Sequence, residues 1–67
     1  MDTGRLNESL KELDSSIMID STNYYSFQDR GECYQFMNMK EEACADFRRS
    51  ADLGNIVLYE KIKDYCN

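Results

Sequence analysis

The sequence predicts an all-α fold: antiparallel helical hairpins, about four helices in all, stacked as a short solenoid. Three observations carry this expectation. First, residues Gly4–Asn23 displaced by thirty-four positions fall on Asn38–Val57, with Glu8 on Glu42, Ser16 on Ser50, Leu13 on Phe47, Ile19 on Leu53 and Ser9 on Ala43. Size and polarity match more often than identity, and a unit that repeats at this period is a pair of stacked helices. Second, the 67 residues include no proline and only three glycines, so long helices joined by short turns follow. Third, apolar residues recur at intervals of three and four, which is one face of a helix.

The first helix is expected over 4–20, with Leu6, Leu10, Leu13 and Ile17 as its apolar stripe and Thr3 as its N-cap. Glu8, Lys11 and Glu12 belong to its wet side. Asp20-Ser21-Thr22-Asn23 then reads as a turn, because these side chains bond their own backbone and cap helices readily. The second helix spans about Tyr24–Met37 and holds most of the aromatic residues. Gly31 sits in its middle, where glycine costs about 1 kcal/mol relative to alanine. Its presence there implies that a neighbouring helix approaches too closely for a side chain.

Asn38-Met39-Lys40-Glu41 reads as a capping box that opens the third helix, Met39–Leu53. Ala43, Cys44, Phe47, Ser50 and Ala51 form its small or apolar face. Gly54 is the expected left-handed terminator, and Asn55 the cap of a fourth helix over Ile56–Tyr65. That helix carries Val57, Leu58, Ile62 and Tyr65 inward and Glu60, Lys61, Lys63 and Asp64 outward. The chain thus divides into a half-hairpin (4–20), a complete hairpin (24–54) and a covering helix (55–67), all in one domain.

A chain this short buries only about 60% of the surface its unfolded form exposes. The formal net charge is −5, from 13 acidic and 8 basic residues. Such a surface repels phosphate backbones and excludes nucleic acid as the natural partner; basic or mixed-charge proteins are favoured at encounter. No apolar run reaches the roughly 18 residues of a membrane span. Met1-Asp2-Thr3-Gly4 lacks a basic stretch followed by an apolar one, so a cytoplasmic chain is expected, unless a leader lay upstream. Cys33, Cys44 and Cys66 are odd in number, lie 11 and 22 apart and have no histidine beside them. Zinc is therefore not expected; three reduced thiols are, some buried as small apolar groups, with a single disulfide or an intermolecular bridge as the alternative.

The residues Phe27, Gly31, Tyr34, Ala43, Phe47 and Ser50 resemble the spaced pattern of the tetratricopeptide repeat: an aromatic, then glycine, tyrosine, alanine, aromatic and a small residue. The resemblance covers about Tyr24–Val57, with Gly4–Asn23 similar to the second helix of a preceding repeat. The run from Ala43-Cys44-Ala45-Asp46-Phe47 through Leu53-Gly54-Asn55 to Tyr65-Cys66 is similar to the last repeat and capping helix of many bacterial members. Two positions depart from the family. Arg30 stands where leucine is usual, and Ser21 and Asn55 stand where proline is usual. The resemblance implies a right-handed solenoid and suggests a piece cut from a longer array. The lone first helix needs its stripe covered, either by the following pair or by a second copy of the chain.

What the resemblance implies for function is a concave groove lined by the first helix of the hairpin: Tyr25, Gln28, Asp29, Glu32 and Gln35, with Phe36 at its edge. Family members that hold a peptide's terminal carboxylate use basic residues and asparagine at such places. Here Asp29 and Glu32 would repel one, so a basic or polar segment with an apolar anchor fits better, Tyr25 and Phe36 supplying the aromatic contacts. Catalysis is not expected. There is no histidine, the three cysteines lack a base partner, and no glycine-rich phosphate loop or cofactor motif occurs. The expected function is a non-catalytic protein-interaction module. The alternatives are an idle capping fragment or self-associating homodimer, and an acidic regulator that masks a basic surface.

Overall fold

The computed structural model describes residues 3–66, Thr3 by its backbone alone. Four α-helices follow one another, with no strand among the described residues: α1 (Thr3–Ile19), α2 (Tyr24–Phe36), α3 (Lys40–Asp52) and α4 (Leu58–Lys61), the last continued by a π-helical turn over Ile62–Cys66. Sequential helices form hairpins. α2 packs on both α1 and α3, and α3 also receives α4 and the π-turn. The expected all-helical hairpin architecture is therefore present. The expected cap at the Thr3 side chain lies outside the described residues.

The α1–α2 turn forms as its residues suggest. Asp20 Oδ1 accepts from the Thr22 amide at 3.0 Å and from the Thr22 hydroxyl, and these bonds hold the Asp20 carboxyl below its ordinary range. Asn23 caps α2, its Oδ1 accepting from the Tyr25 amide at 3.0 Å.

The α2–α3 turn differs from expectation. Asn38 does not cap α3; it ends α2. Its φ is 60°, its amide donates to the Gln35 carbonyl at 3.1 Å, and the Met39 amide donates to the Tyr34 carbonyl at 2.9 Å. These paired bonds close a helix through a left-handed residue, and asparagine tolerates that conformation better than other side chains. The N-cap of α3 is Met39, which makes no side-chain cap bond; Glu41 and Glu42 in the first turn face the helix's positive end. α3 closes in the same way. Gly54 has φ +119° and a Cβ there would meet nothing within 4 Å, so conformation, not space, calls for glycine. The Gly54 amide reaches Ala51 at 3.0 Å and the Asn55 amide reaches Ser50 at 3.1 Å.

The fourth helix is shorter than expected. Asn55 does not cap it: its buried side chain turns inward and donates to Gln28 Oε1 at 2.8 Å and Ser50 Oγ at 3.1 Å. The chain needs a further turn before α4 begins, and the Leu58 amide closes it on the Asn55 carbonyl at 3.1 Å. Ile56 and Val57 are left in solvent, so Val57 does not belong to the inward stripe, whereas Leu58 is buried. Lys61, expected to face water, is half-buried and stands 4.7 Å above the centre of the Phe47 ring.

Ala43, Phe47, Ala51 and Leu58 make the core, with Tyr34, Ile62, Tyr65 and Cys66 against it. Phe47 is wholly buried, with Gly31 on one side and Tyr65 edge-on at 6.2 Å on another. A Cβ on Gly31 would lie 2.7 Å from Phe47 Cε1 and 3.1 Å from the Ala43 carbonyl oxygen, which accounts for glycine in mid-helix. The expectation of three reduced thiols is overturned: Cys44 and Cys66 form a disulfide, Cα atoms 5.8 Å apart, and Cys33 alone is free. The alternative of a single disulfide is the one realised; count and spacing do not pick its partners, since only folding brings the end of the chain back onto α3.

Candidate functional site: an acidic groove between the first two helices

Two helix faces at three- and four-residue spacing meet along a groove of about 490 Å3. α1 supplies Leu6, Ser9, Glu12, Leu13 and Ser16; α2 supplies Asp29, Glu32, Cys33 and Phe36. The small serines let the helices approach. The hydroxyls of Ser16 and Ser26 meet at 3.2 Å. The apolar stripe of α1 is half-buried in this packing, leaving Leu6 and Leu13 to floor the groove beside Cys33 and Phe36.

The groove is electrically one-sided. Glu12, Asp29 and Glu32 line it, and no lysine or arginine does. Burial, and then the neighbouring Glu32, push the Asp29 carboxyl above its ordinary range. Burial, with Asp29 and Glu32 adding to it, likewise raises the Cys33 thiol. That thiol stays protonated at neutral pH and is a poor nucleophile. Glu32 accepts from Gln28 Nε2 at 3.3 Å.

Of the groove residues expected from the sequence, Asp29, Glu32 and Phe36 share this groove. Gln35 joins Glu32 and Phe36 in a second depression of about 470 Å3 that also includes Asn38 and Lys61. Gln28 is occupied in bonding Asn55 and Glu32. Tyr25 lies outside both, exposed, its ring centre 4.5 Å from that of Tyr24. The contribution of α1 went unforeseen. The sequence places Leu6 and Leu13 in an apolar stripe and Glu12 on the wet side, with no groove role for any of them or for Ser9. Their signal was the recurrence of 6, 9, 13 and 16 on one face.

The six positions that carry the family resemblance serve packing. Phe27, Gly31, Ala43, Phe47 and Ser50 are buried, and Tyr34 is half-buried against the core. Ser50 Oγ donates to the Tyr24 carbonyl at 2.6 Å. No family model matches the chain, and neither a curated protein nor a solved structure matches it. Among the described residues no three His, Cys, Asp or Glu side chains are grouped to hold a metal ion, and no helix is long and apolar enough to cross a membrane.

Proposed function

We propose that this chain is a non-catalytic interaction module that takes a basic or mixed-charge protein segment in the α1–α2 groove. The observation that carries this reading is Glu12, Asp29 and Glu32 arrayed over an apolar floor with no cation among the lining residues. A lysine or arginine from a partner gains from such a field, and an adjacent apolar side chain gains from Leu6, Leu13 and Phe36. A terminal carboxylate or a nucleic-acid phosphate is repelled.

The tetratricopeptide-like reading of the scaffold is part of the proposal. The nesting of Phe47 against Gly31 supports it, as does the identical closure of α2 and α3 through Asn38 and Gly54. The cytoplasmic setting expected from the sequence fits poorly with Cys44–Cys66, since such bonds persist where thiols are not kept reduced; an oxidising compartment suits the chain better.

Fluorescence anisotropy with labelled peptides tests the reading. A peptide with alternating arginine and leucine should bind, with affinity falling steeply as salt rises, and its glutamate counterpart should not. Equal binding of the two, or none to either, sinks it. A second reading, self-association, draws on Met18 and Ile19, each 87% exposed at the end of α1. Light scattering separates the two: a dimer whose peptide binding is lost on assembly supports self-association, and a peptide-binding monomer excludes it.

A further inference from the structure

We infer that Cys44–Cys66 is a redox clasp: it pins segment 56–66 over the buried face of α3, and a thiol reductant releases that segment while the hairpins beneath stay folded. The segment is poorly equipped to hold itself. α4 and its π-helical continuation together run only from Leu58 to Cys66, below the roughly 12–15 residues that give an isolated helix marginal stability. Ile56, Val57 and Tyr59 are exposed and contribute little packing. Leu58 alone is fully seated, with Ile62 and Tyr65 half-buried. The disulfide closes the far end of the segment.

The near end is fixed differently. Asn55 is buried and bonded to Gln28 and Ser50, so it stays with α2 and α3 and serves as the hinge. Below the clasp, α2 and α3 keep contacts that owe nothing to the segment: Phe47 against Gly31, Ser50 on the Tyr24 carbonyl, and Arg30 on Asp46. Segment 56–66 is thus held on α3 by Leu58, by its half-buried neighbours and by the disulfide, and can open as a local unit. Release uncovers the side of Phe47 now faced by Tyr65 and Lys61, and removes Lys61 from the depression it shares with Glu32 and Phe36. The α1–α2 groove includes no residue of the segment.

The chemistry is thiol–disulfide exchange with a dithiol reductant. Cys44 is buried and Cys66 is half-exposed, so the incoming thiolate attacks Sγ of Cys66. The S–S bond breaks and its electron pair leaves on Cys44 Sγ, which takes a proton. The reductant's second thiolate then attacks its own sulfur in the mixed disulfide, closing the reductant's disulfide and freeing the Cys66 thiol. Two electrons and two protons pass to the protein.

Hydrogen exchange read by mass spectrometry tests the clasp, on the oxidised protein, the same protein in dithiothreitol, and a C44S/C66S double variant without reductant. Thiols titrated in denaturant should number one before reduction (Cys33) and three after it. Amides of 56–66 should then exchange about tenfold faster or more, in the reduced protein and the double variant alike, with α1 and α2 unchanged. Unchanged exchange in 56–66 once three thiols titrate overturns the inference. Lost protection through α1, α2 and α3 also overturns it, because the bond would then be a staple of the whole fold.

Discussion

Arg30 and Asp46 form a two-pronged pair: Arg30 Nε donates to Asp46 Oδ2 at 2.8 Å and Nη2 to Oδ1 at 2.7 Å. Arg30 Nη1 also donates to Asp14 Oδ1 at 2.8 Å, so one guanidinium ties α2 to both α3 and α1. Its carbon stands 5.6 Å from the centre of the Phe27 ring. The Asp46 bond first, then the Asp14 bond, push the guanidinium's pKa further up, against the opposing effect of burial. Asp46 is buried, and both of its carboxylate oxygens accept from this one partner. Arg30→Leu should cost about 3 kcal/mol in urea unfolding, since it leaves a buried carboxylate unpaired. Adding Asp46→Leu should recover most of that loss, because an apolar pair of similar volume tolerates the same site. A double variant as unstable as the single one would refute this account.

Gly31 marks where α2 and α3 touch. Gly31→Ala gains about 1 kcal/mol of helix propensity but sets a methyl 2.7 Å from Phe47, and such overpacking costs about 1–3 kcal/mol. The net should be a lower melting temperature. Gly31→Leu should abolish cooperative unfolding. A Gly31→Leu protein that melts like wild type would show that the helices are not in contact there.

Asn55 is both hinge and tie. Asn55→Ala removes two donated bonds and leaves the buried Ser50 hydroxyl and the Gln28 carbonyl short of a donor. A loss of about 1–3 kcal/mol in chemical denaturation follows. Asn55→Asp should fare worse than alanine, because the carboxylate cannot donate to either group and is itself desolvated. An aspartate variant as stable as wild type would mean that these contacts contribute nothing.

These three sites also show what a sequence can and cannot convey. Gly31, Ala43 and Phe47 were readable because close helix contact demands small residues at fixed spacing, and that demand is local. Asn38 and Asn55 misled because asparagine serves N-caps, left-handed turns and buried bonding equally well, and only the neighbouring chain decides among them. Arg30 read as a defect in an apolar position because its compensation, Asp14 and Asp46, lies sixteen residues away on each side. The Cys44–Cys66 bond required knowing where the last helix returns. Half of the groove was missed for a similar reason. Asp29, Glu32 and Phe36 lie on one helix face, but Leu6, Ser9, Glu12 and Leu13 complete the groove from α1, and only the packing of α1 on α2 brings them there.

Asp29 gives the groove a pH signature. Its carboxyl is raised by burial and by Glu32, so the folded chain holds that proton more tightly than the unfolded one. The sign follows: stability from this group is greatest below the ordinary carboxylate range and declines as pH rises through the raised value. Asp29→Asn should therefore match wild type near pH 3 and exceed it slightly at pH 7 in thermal melts. The reverse ordering at pH 7 would mean that the charged Asp29 has a favourable partner.

Glu32 separates folding from binding. It is half-buried, accepts a 3.3 Å bond from Gln28, and lies beside Asp29 on the α2 wall of the acidic groove. Glu32→Lys should leave the melting temperature within about 0.5 kcal/mol of wild type in stability, as surface substitutions usually do. The same change converts an attraction for a cationic peptide into a repulsion, so affinity for the arginine–leucine peptide should fall about tenfold or more at low salt, with the gap narrowing as salt screens it. Phe36→Ala should weaken binding at every salt concentration instead, because an apolar anchor does not respond to screening. If Glu32→Lys unfolds the chain, the residue belongs to the packing; if both variants bind as wild type does, the groove is not where the peptide sits.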